Sequence, residues 1–171
     1  FSPKNLNITK VILQGANFDI DEKNYDFFID ILKNNFSQST LNIKKSNIFF
    51  RNNKDEVLFL NKIINMKYFY DDNELKNILH INNEIFNVPY SLEVYNDNQD
   101  KILYTKLLLN TFGLKAENEH NYSNKLNEGI LELNLNKIKS ILTYETNKKF
   151  FKFNYSNKSD TLNFKYEGEL N

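Results

Sequence analysis

The stretch Leu131-Glu132-Leu133-Asn134-Leu135 carries the pattern that decides the fold, a strict alternation of apolar and polar residues. Successive side chains of a β-strand point to opposite faces, so a period of two predicts a strand with one apolar and one polar face. The alternation recurs in Leu103–Thr111, Phe151–Tyr155 and Leu162–Tyr166. It is less regular in six further segments, which are Leu6–Ile12, Leu41–Phe50, Val57–Leu60, Met66–Tyr70, Leu75–Ile81 and Tyr90–Tyr95. The sequence therefore predicts a mainly β protein.

Short polar segments separate these predicted strands. Residues 51–55, 82–84, 96–100 and 156–160 are rich in Asn, Asp, Ser and charged residues. Asn and Asp tolerate the left-handed backbone region, so they can replace glycine in turns, and glycine occurs only four times in this chain. Strands joined by such turns predict an antiparallel sheet.

One segment has a helical period instead. It predicts one amphipathic helix, from about Glu22 to Asn34, that packs on the sheet. Acidic residues at its start, Asp21 and Glu22, suit a helix N-terminus. A second helical turn remains an alternative near Lys137–Leu142. The apolar stripe of the predicted helix consists of Tyr25, Phe28, Ile29, Leu32 and Phe36.

The composition excludes several classes of function. The 171 residues contain 22 lysines and arginines against 22 aspartates and glutamates, so the net charge is zero. A protein that tracks nucleic-acid phosphates needs clustered positive charge, and we expect no nucleic-acid partner. Cysteine is absent, which excludes disulfides and thiolate chemistry. Asparagine occurs 31 times, but a hydrophobic content of 40% and an aromatic content of 15% argue for a folded chain.

Residues with catalytic or metal-binding potential are few and scattered. The only histidines are His80 and His120, and neither stands in a recognisable catalytic motif. The acidic run Asp19–Glu22 is similar to the start of a calcium loop, but Asn24 replaces the glycine at position six and Asp30 the glutamate at position twelve. We therefore predict no enzymatic activity, no cofactor and no metal site.

The order of the predicted elements is similar to a known family. A strand Leu6–Leu13 and the segment Ala16–Ile20 lead into the helix, and a strand pair built on Leu41–Phe50 follows. A Pro-aromatic step then occurs in Ile85–Leu92, and a glycine-led apolar strand in Asn127–Leu133. Over most of its length this order resembles the repeating region of AsmA-like proteins, the bacterial envelope proteins of the bridge-like lipid-transfer type.

The resemblance implies a fold and a function. Members of that family have a long, twisted antiparallel sheet curled into an open groove with an apolar interior. They are anchored in the inner membrane of Gram-negative bacteria, extend through the periplasm, and are implicated in phospholipid transport between the two membranes and in outer-membrane assembly. We therefore expect residues 1–171 to be a single segment of a longer protein, with no internal boundary. Phospholipid acyl chains would be its ligands, and regions outside this chain would contact the inner and outer membranes.

The apolar positions of the regular strands are the candidate residues for the groove lining. Two other interpretations remain open at this point. One is a self-contained surface β-sandwich for adhesion or carbohydrate binding, with exposed aromatic residues among Tyr68, Phe69, Tyr70 and Tyr144; the other is a scaffold segment that only spaces other domains. The candidate lining residues are Tyr90, Leu92, Val94, Leu103, Leu107, Leu109, Leu131, Leu133, Leu135, Phe151, Phe153, Leu162 and Phe164.

Overall fold

A computed structural model describes residues 8–21, 23–24, 39–97, 99–123, 126–147, 149–158 and 163–170 of the chain. Among these residues the regular structure consists of twelve strands and one short 3₁₀ turn at Asn110–Phe112. The strands are β1 Lys10–Gln14, β2 Asn17–Ile20, β3 Thr40–Arg51, β4 Val57–Asp71, β5 Lys76–Ile85, β6 Val88–Asp97, β7 Ile102–Leu109, β8 Leu114–Asn121, β9 Asn127–Leu135, β10 Ile138–Thr146, β11 Phe151–Lys158 and β12 Asn163–Leu170.

All twelve strands belong to one sheet. From β3 to β12 each strand pairs antiparallel with the next one in the chain, so the topology is a simple meander. Strands β1 and β2 both run parallel to β3 and pair with successive stretches of its free edge. Within the described part of the chain β12 pairs only with β11, and the sheet is open rather than closed into a barrel.

Asn and Asp hold many of the turns, as their chemistry predicts. The Asp71 carboxylate accepts hydrogen bonds from the backbone N–H groups of Asn73 and Glu74 at 2.9 and 3.1 Å. Asp97 does the same for the residues that follow it. The turn predicted at residues 82–84 is wrong, because these residues lie inside β5, and the turn predicted at residues 156–160 is wrong for residues 156–158, which belong to β11. The chain turns at Phe86 and Asn87, whose positive φ angles of 50° and 61° suit a tight hairpin.

Two other sequence predictions are wrong, and a third concerns residues that lie mostly outside the described part of the chain. Val57–Leu60 and Met66–Tyr70 were expected as separate strands but form the single strand β4, in which the alternation slips at Ile64. The helical alternative near Lys137–Leu142 is wrong, since these residues belong to the β9–β10 turn and to β10. The amphipathic helix predicted for residues 22–34 falls outside the described residues, apart from a turn at Lys23 and Asn24.

A small apolar core lies at the β1–β4 end of the sheet. Ile43, Ile48 and Ile63 are buried there, with exposures of 6%, 8% and 2%. Leu13 of β1 and Phe18 of β2 pack against them, so the two short parallel strands are held by apolar contacts as well as by backbone hydrogen bonds. No described helix is long and apolar enough to cross a membrane.

Candidate functional site

The sheet has two faces of opposite character, and this difference defines the candidate site. Every described Asp, Glu, Lys and Arg side chain of the strands occupies one face, which we call the charged face; the exception is Lys45, at an irregularity in β3. We call the opposite face the uncharged face. His120 of β8 is its only His, Asp, Glu, Lys or Arg residue among the described strands. Hydrophobic and neutral polar side chains make up the rest.

The strand register brings the side chains of the uncharged face into continuous rows that cross the sheet. Residues that pair across neighbouring antiparallel strands project from the same face, so the rows follow directly from the pairing. The first row comprises Ile43, Met66, Ile81, Leu92, Leu107, Ala116, Leu133 and Ser140. The second comprises Leu41, Tyr68, Leu79, Val94, Thr105, Asn118, Leu131, Leu142, Tyr155 and Tyr166.

Burial also distinguishes the two faces. All twelve buried residues of the described chain, six apolar and six polar, lie on the uncharged face. They are not confined to the core beside β1, because Val94 in β6, Ala116 in β8 and Ser140 in β10 are 6%, 8% and 6% exposed. The uncharged face is therefore the more sheltered side of the sheet through its central strands.

Eleven of the candidate lining residues lie together on the uncharged face. Val94 is buried, Leu135 is 43% exposed, and the other nine have intermediate exposure. Phe164 lies in β12 at the position that pairs with Asn157, and Leu162 falls outside the described residues. The eleven residues are Tyr90, Leu92, Val94, Leu103, Leu107, Leu109, Leu131, Leu133, Leu135, Phe151 and Phe153.

The sequence interpretation missed the polar residues of this face, having placed Asn in turns and on the solvent side. Asn61, Asn77, Asn83 and Asn96 are 6%, 4%, 1% and 2% exposed on the uncharged face. Their position in the alternation is a usable signal. Asn83, for example, stands two residues from Ile81, and residues two apart in a strand share a face.

Tyrosine hydroxyl groups donate hydrogen bonds to three polar side chains of this face, and Asn96 is the only one of the three that belongs to the four buried asparagines. Tyr122 donates a hydrogen bond to Oδ1 of Asn96 at 2.7 Å, and Tyr155 donates to Oγ of Ser140 at 3.0 Å. Tyr144 donates to Oδ1 of Asn118 at 3.0 Å, and its oxygen lies 3.1 Å from Nδ1 of His120. Burial raises the pKa of Tyr144, and the hydrogen bond to Asn118 opposes this rise. Burial also raises the pKa of Tyr68.

The charged face is balanced by ion pairs between neighbouring strands. Lys62 pairs with Glu84 at 2.7 Å and Lys139 with Glu132 at 2.7 Å, while His80 lies 3.1 Å from Glu93. Two shallow depressions of about 440 and 510 Å³ lie mainly on this face, among glutamates and lysines. No group of three or more His, Cys, Asp or Glu side chains among the described residues is placed to hold a metal ion.

The class of protein that this geometry defines is an open, single-layer, mostly antiparallel sheet with one uncharged and one charged face. Comparisons with protein-family models, with curated proteins and with solved structures find no match.

Proposed function

We propose that this chain is a segment of a lipid-transfer protein whose uncharged face shelters the acyl chains of phospholipids. The observation that carries the proposal is the separation of charge between the faces, which extends over the twelve strands of an open sheet with Lys45 in β3 as the one exception among the described residues. An ordinary surface sheet would carry scattered charges on any face not covered by a core. A face without charge that remains partly accessible suits a ligand that is itself apolar.

The burial difference supports a sheet that curls toward the uncharged face. Side chains crowd together on the concave side of a curved sheet and separate on its convex side. Val94, Ala116 and Ser140 are buried in three central strands, whereas Glu93, Glu117 and Lys139 beside them are not. The uncharged face would then be the interior of a groove and the charged face its wet exterior.

The dimensions and energetics are consistent with a lipid track. Ten strands, β3 to β12, spaced about 4.8 Å apart, extend the rows of the uncharged face over about 43 Å. Sheltering a methylene group from water contributes about 0.8 kcal/mol. An acyl chain would gain this stabilisation along the whole track without meeting an ionised group, so it could slide without a large barrier. The mechanism is passive, and no bond is made or broken.

A closed β-sandwich fits the observations less well. In a sandwich, a second sheet covers the apolar face of the first one. The described strands belong to a single sheet, and no second sheet lies among them. The lining residues Leu103, Leu107, Leu131 and Leu133 keep intermediate exposure, as residues that meet a mobile ligand would.

We also propose the cellular setting implied by the resemblance to AsmA-like proteins. The segment would work in the periplasm of a Gram-negative bacterium, as part of a protein anchored in the inner membrane. Transport would run between the inner and outer membranes in support of outer-membrane assembly. The contacts with both membranes would be made by regions outside this chain.

Site-specific photocrosslinking tests the lipid proposal. A benzoylphenylalanine residue is placed at Leu107 or Leu133, on the uncharged face, and at the neighbouring Leu108 or Asn134, on the charged face. The chain is expressed in the periplasm of a Gram-negative host and irradiated in the cells. We expect phospholipid adducts, detected by mass spectrometry, at the first two positions only. Equal labelling of both faces, or no adduct at either uncharged position, would contradict the proposal.

A further inference from the structure

One polar cluster on the uncharged face differs from the others. Asn61 of β4, Asn83 of β5 and Tyr90 of β6 lie on adjacent strands, and Asn83 pairs directly with Tyr90. The Nδ2 groups of both asparagines donate to the Tyr90 hydroxyl, at 2.7 Å from Asn61 and 3.4 Å from Asn83. The asparagines are 6% and 1% exposed, and Tyr90 has intermediate exposure.

The hydrogen bonding in this cluster is incomplete. In the clusters of Asn96, Asn118 and Ser140 a tyrosine hydroxyl donates to the side-chain oxygen, whereas Tyr90 accepts two hydrogen bonds from amide nitrogens. Oδ1 of Asn61 and Oδ1 of Asn83 are buried and accept no hydrogen bond from the described part of the chain. Rotating either amide by 180° places Nδ2 where Oδ1 was, so the deficit changes from an acceptor to a donor but does not disappear.

The deficit is concentrated in one part of the face. Five buried side-chain oxygen atoms of the described chain lack a partner, and four of them belong to β4 and β5. Those four are on Asn61, Tyr68, Asn77 and Asn83. A buried polar group without a hydrogen bond is energetically unfavourable. Leu and Ile, which would avoid this penalty, are frequent in the sequence and occur at neighbouring positions. Polar residues at such positions indicate that a polar group of a ligand binds there.

We propose that Asn61, Asn83 and Tyr90 form a recognition site for a hydroxyl group on the polar part of an amphiphile whose chains lie on the leucine-rich strands β7 to β9. This inference rests on the proposed function. A hydroxyl group donates and accepts, so it can satisfy an asparagine amide in either orientation. In the structure the Tyr90 hydroxyl takes the position of that ligand group, and rotation of its half-buried side chain would open both amides to the ligand.

The experiment measures which lipid the chain extracts from vesicles. Phosphatidylcholine vesicles contain small, equal amounts of phosphatidylglycerol and phosphatidylmethanol, two anionic lipids that differ in the glycerol diol of the headgroup. The full 171-residue chain is incubated with the vesicles and separated, and its bound lipids are quantified by mass spectrometry. We expect phosphatidylglycerol to be enriched about fivefold, the effect of one good additional hydrogen bond.

Variants of the cluster give the inference its sharpest test. The double variant Asn61→Leu/Asn83→Leu should still bind lipid but lose the enrichment, while the control Asn82→Leu, an exposed neighbour on the charged face, should keep it. If the unaltered chain binds both lipids equally, the inference is overturned and the proposed function stands. If it binds neither lipid, the proposed function fails as well.

Discussion

The glycine at position 129 allows the side chain of Tyr144 to make a contact that spans three strands. Tyr144 belongs to β10, yet its hydroxyl bonds to Asn118 and approaches His120 in β8, two strands away. It crosses β9 above Gly129, where a Cβ atom would lie 2.2 Å from Cζ of the tyrosine ring. Phe153 covers Gly168 in the same way, at 2.5 Å. Glycine is unfavourable inside strands, so its presence here has a packing reason.

Gly129→Ala should therefore destabilise the fold by roughly 2 kcal/mol, since the ring must move and lose its hydrogen bonds. Urea unfolding monitored by circular dichroism measures the change in free energy. In a Tyr144→Ala background the ring is absent and no clash arises. Gly129→Ala should then leave the free energy of unfolding unchanged or raise it slightly. An equal loss of stability in both backgrounds would show that the ring contact is not the cause.

At this scale the sequence predicts which apolar residues share a face. Alternation places Leu107 and Leu133 on the same face of the sheet, because hydrophobicity and the strand period agree at these positions. It does not identify the buried asparagines, since composition suggests turns for Asn, and only the register shows that Asn83 faces Tyr90. Hydrogen bonds between residues distant in the chain, such as Asn61 to Tyr90, depend on three strands at once and have no local signal.

At the scale of elements, regular alternation located strands but did not set their ends. β3 was predicted to within one residue at each end, although its segment is among the less regular ones, whereas β9 begins four residues before Leu131 and β11 ends three residues after Tyr155. The prediction was wrong where alternation breaks. β4 continues through Asn61–Asn65 although Ile63 and Ile64 are consecutive, because an irregularity at Ile64 absorbs the extra residue and leaves it 53% exposed. β10 was ambiguous because Ile138, Ile141 and Leu142 also fit a helical spacing.

A pair of neighbouring leucines in β7 provides a test of the alternation. Leu107 lies on the uncharged face opposite Leu92 and Ala116, whereas Leu108 lies on the charged face opposite Lys115. Leu107→Glu should cost about 2 to 3 kcal/mol of unfolding free energy, because it places a carboxylate among apolar side chains. Leu108→Glu should change stability by less than about 0.5 kcal/mol, with Lys115 as a partner. Similar losses for both variants in urea unfolding would contradict the assignment of the two faces.

At the scale of the whole molecule, the zero net charge conceals a strong separation. The 22 positive and 22 negative residues sum to zero, but those described in the strands lie on one face, with Lys45 as the exception. The sequence predicted the mainly β class, which the structure confirms, and an antiparallel sheet, which holds from β3 to β12 but not for β1 and β2, which run parallel to β3. It could not decide between an open sheet and a closed core, because apolar alternation is the same in both. Whether the apolar face stays open or is covered depends on contacts between elements that are distant in the chain, which no local pattern encodes.

The separation of charge leads to a prediction about salt. If lipid binds on the uncharged face, binding should be nearly independent of ionic strength, because no ion pair forms between the lining residues and the acyl chains. In 1 M NaCl the Debye length is about 3 Å, so contacts between exposed charges and headgroups would be strongly screened. We expect the amount of zwitterionic phosphatidylcholine extracted from vesicles to change less than about twofold between 0.05 and 1 M NaCl, with any change an increase, since high salt favours apolar burial.

A tenfold loss would instead place the lipid headgroups on the charged face, where Lys62, Lys67 and Lys106 are exposed. The Leu107→Glu variant distinguishes the two sites further, because it should abolish extraction at every salt concentration if it remains folded.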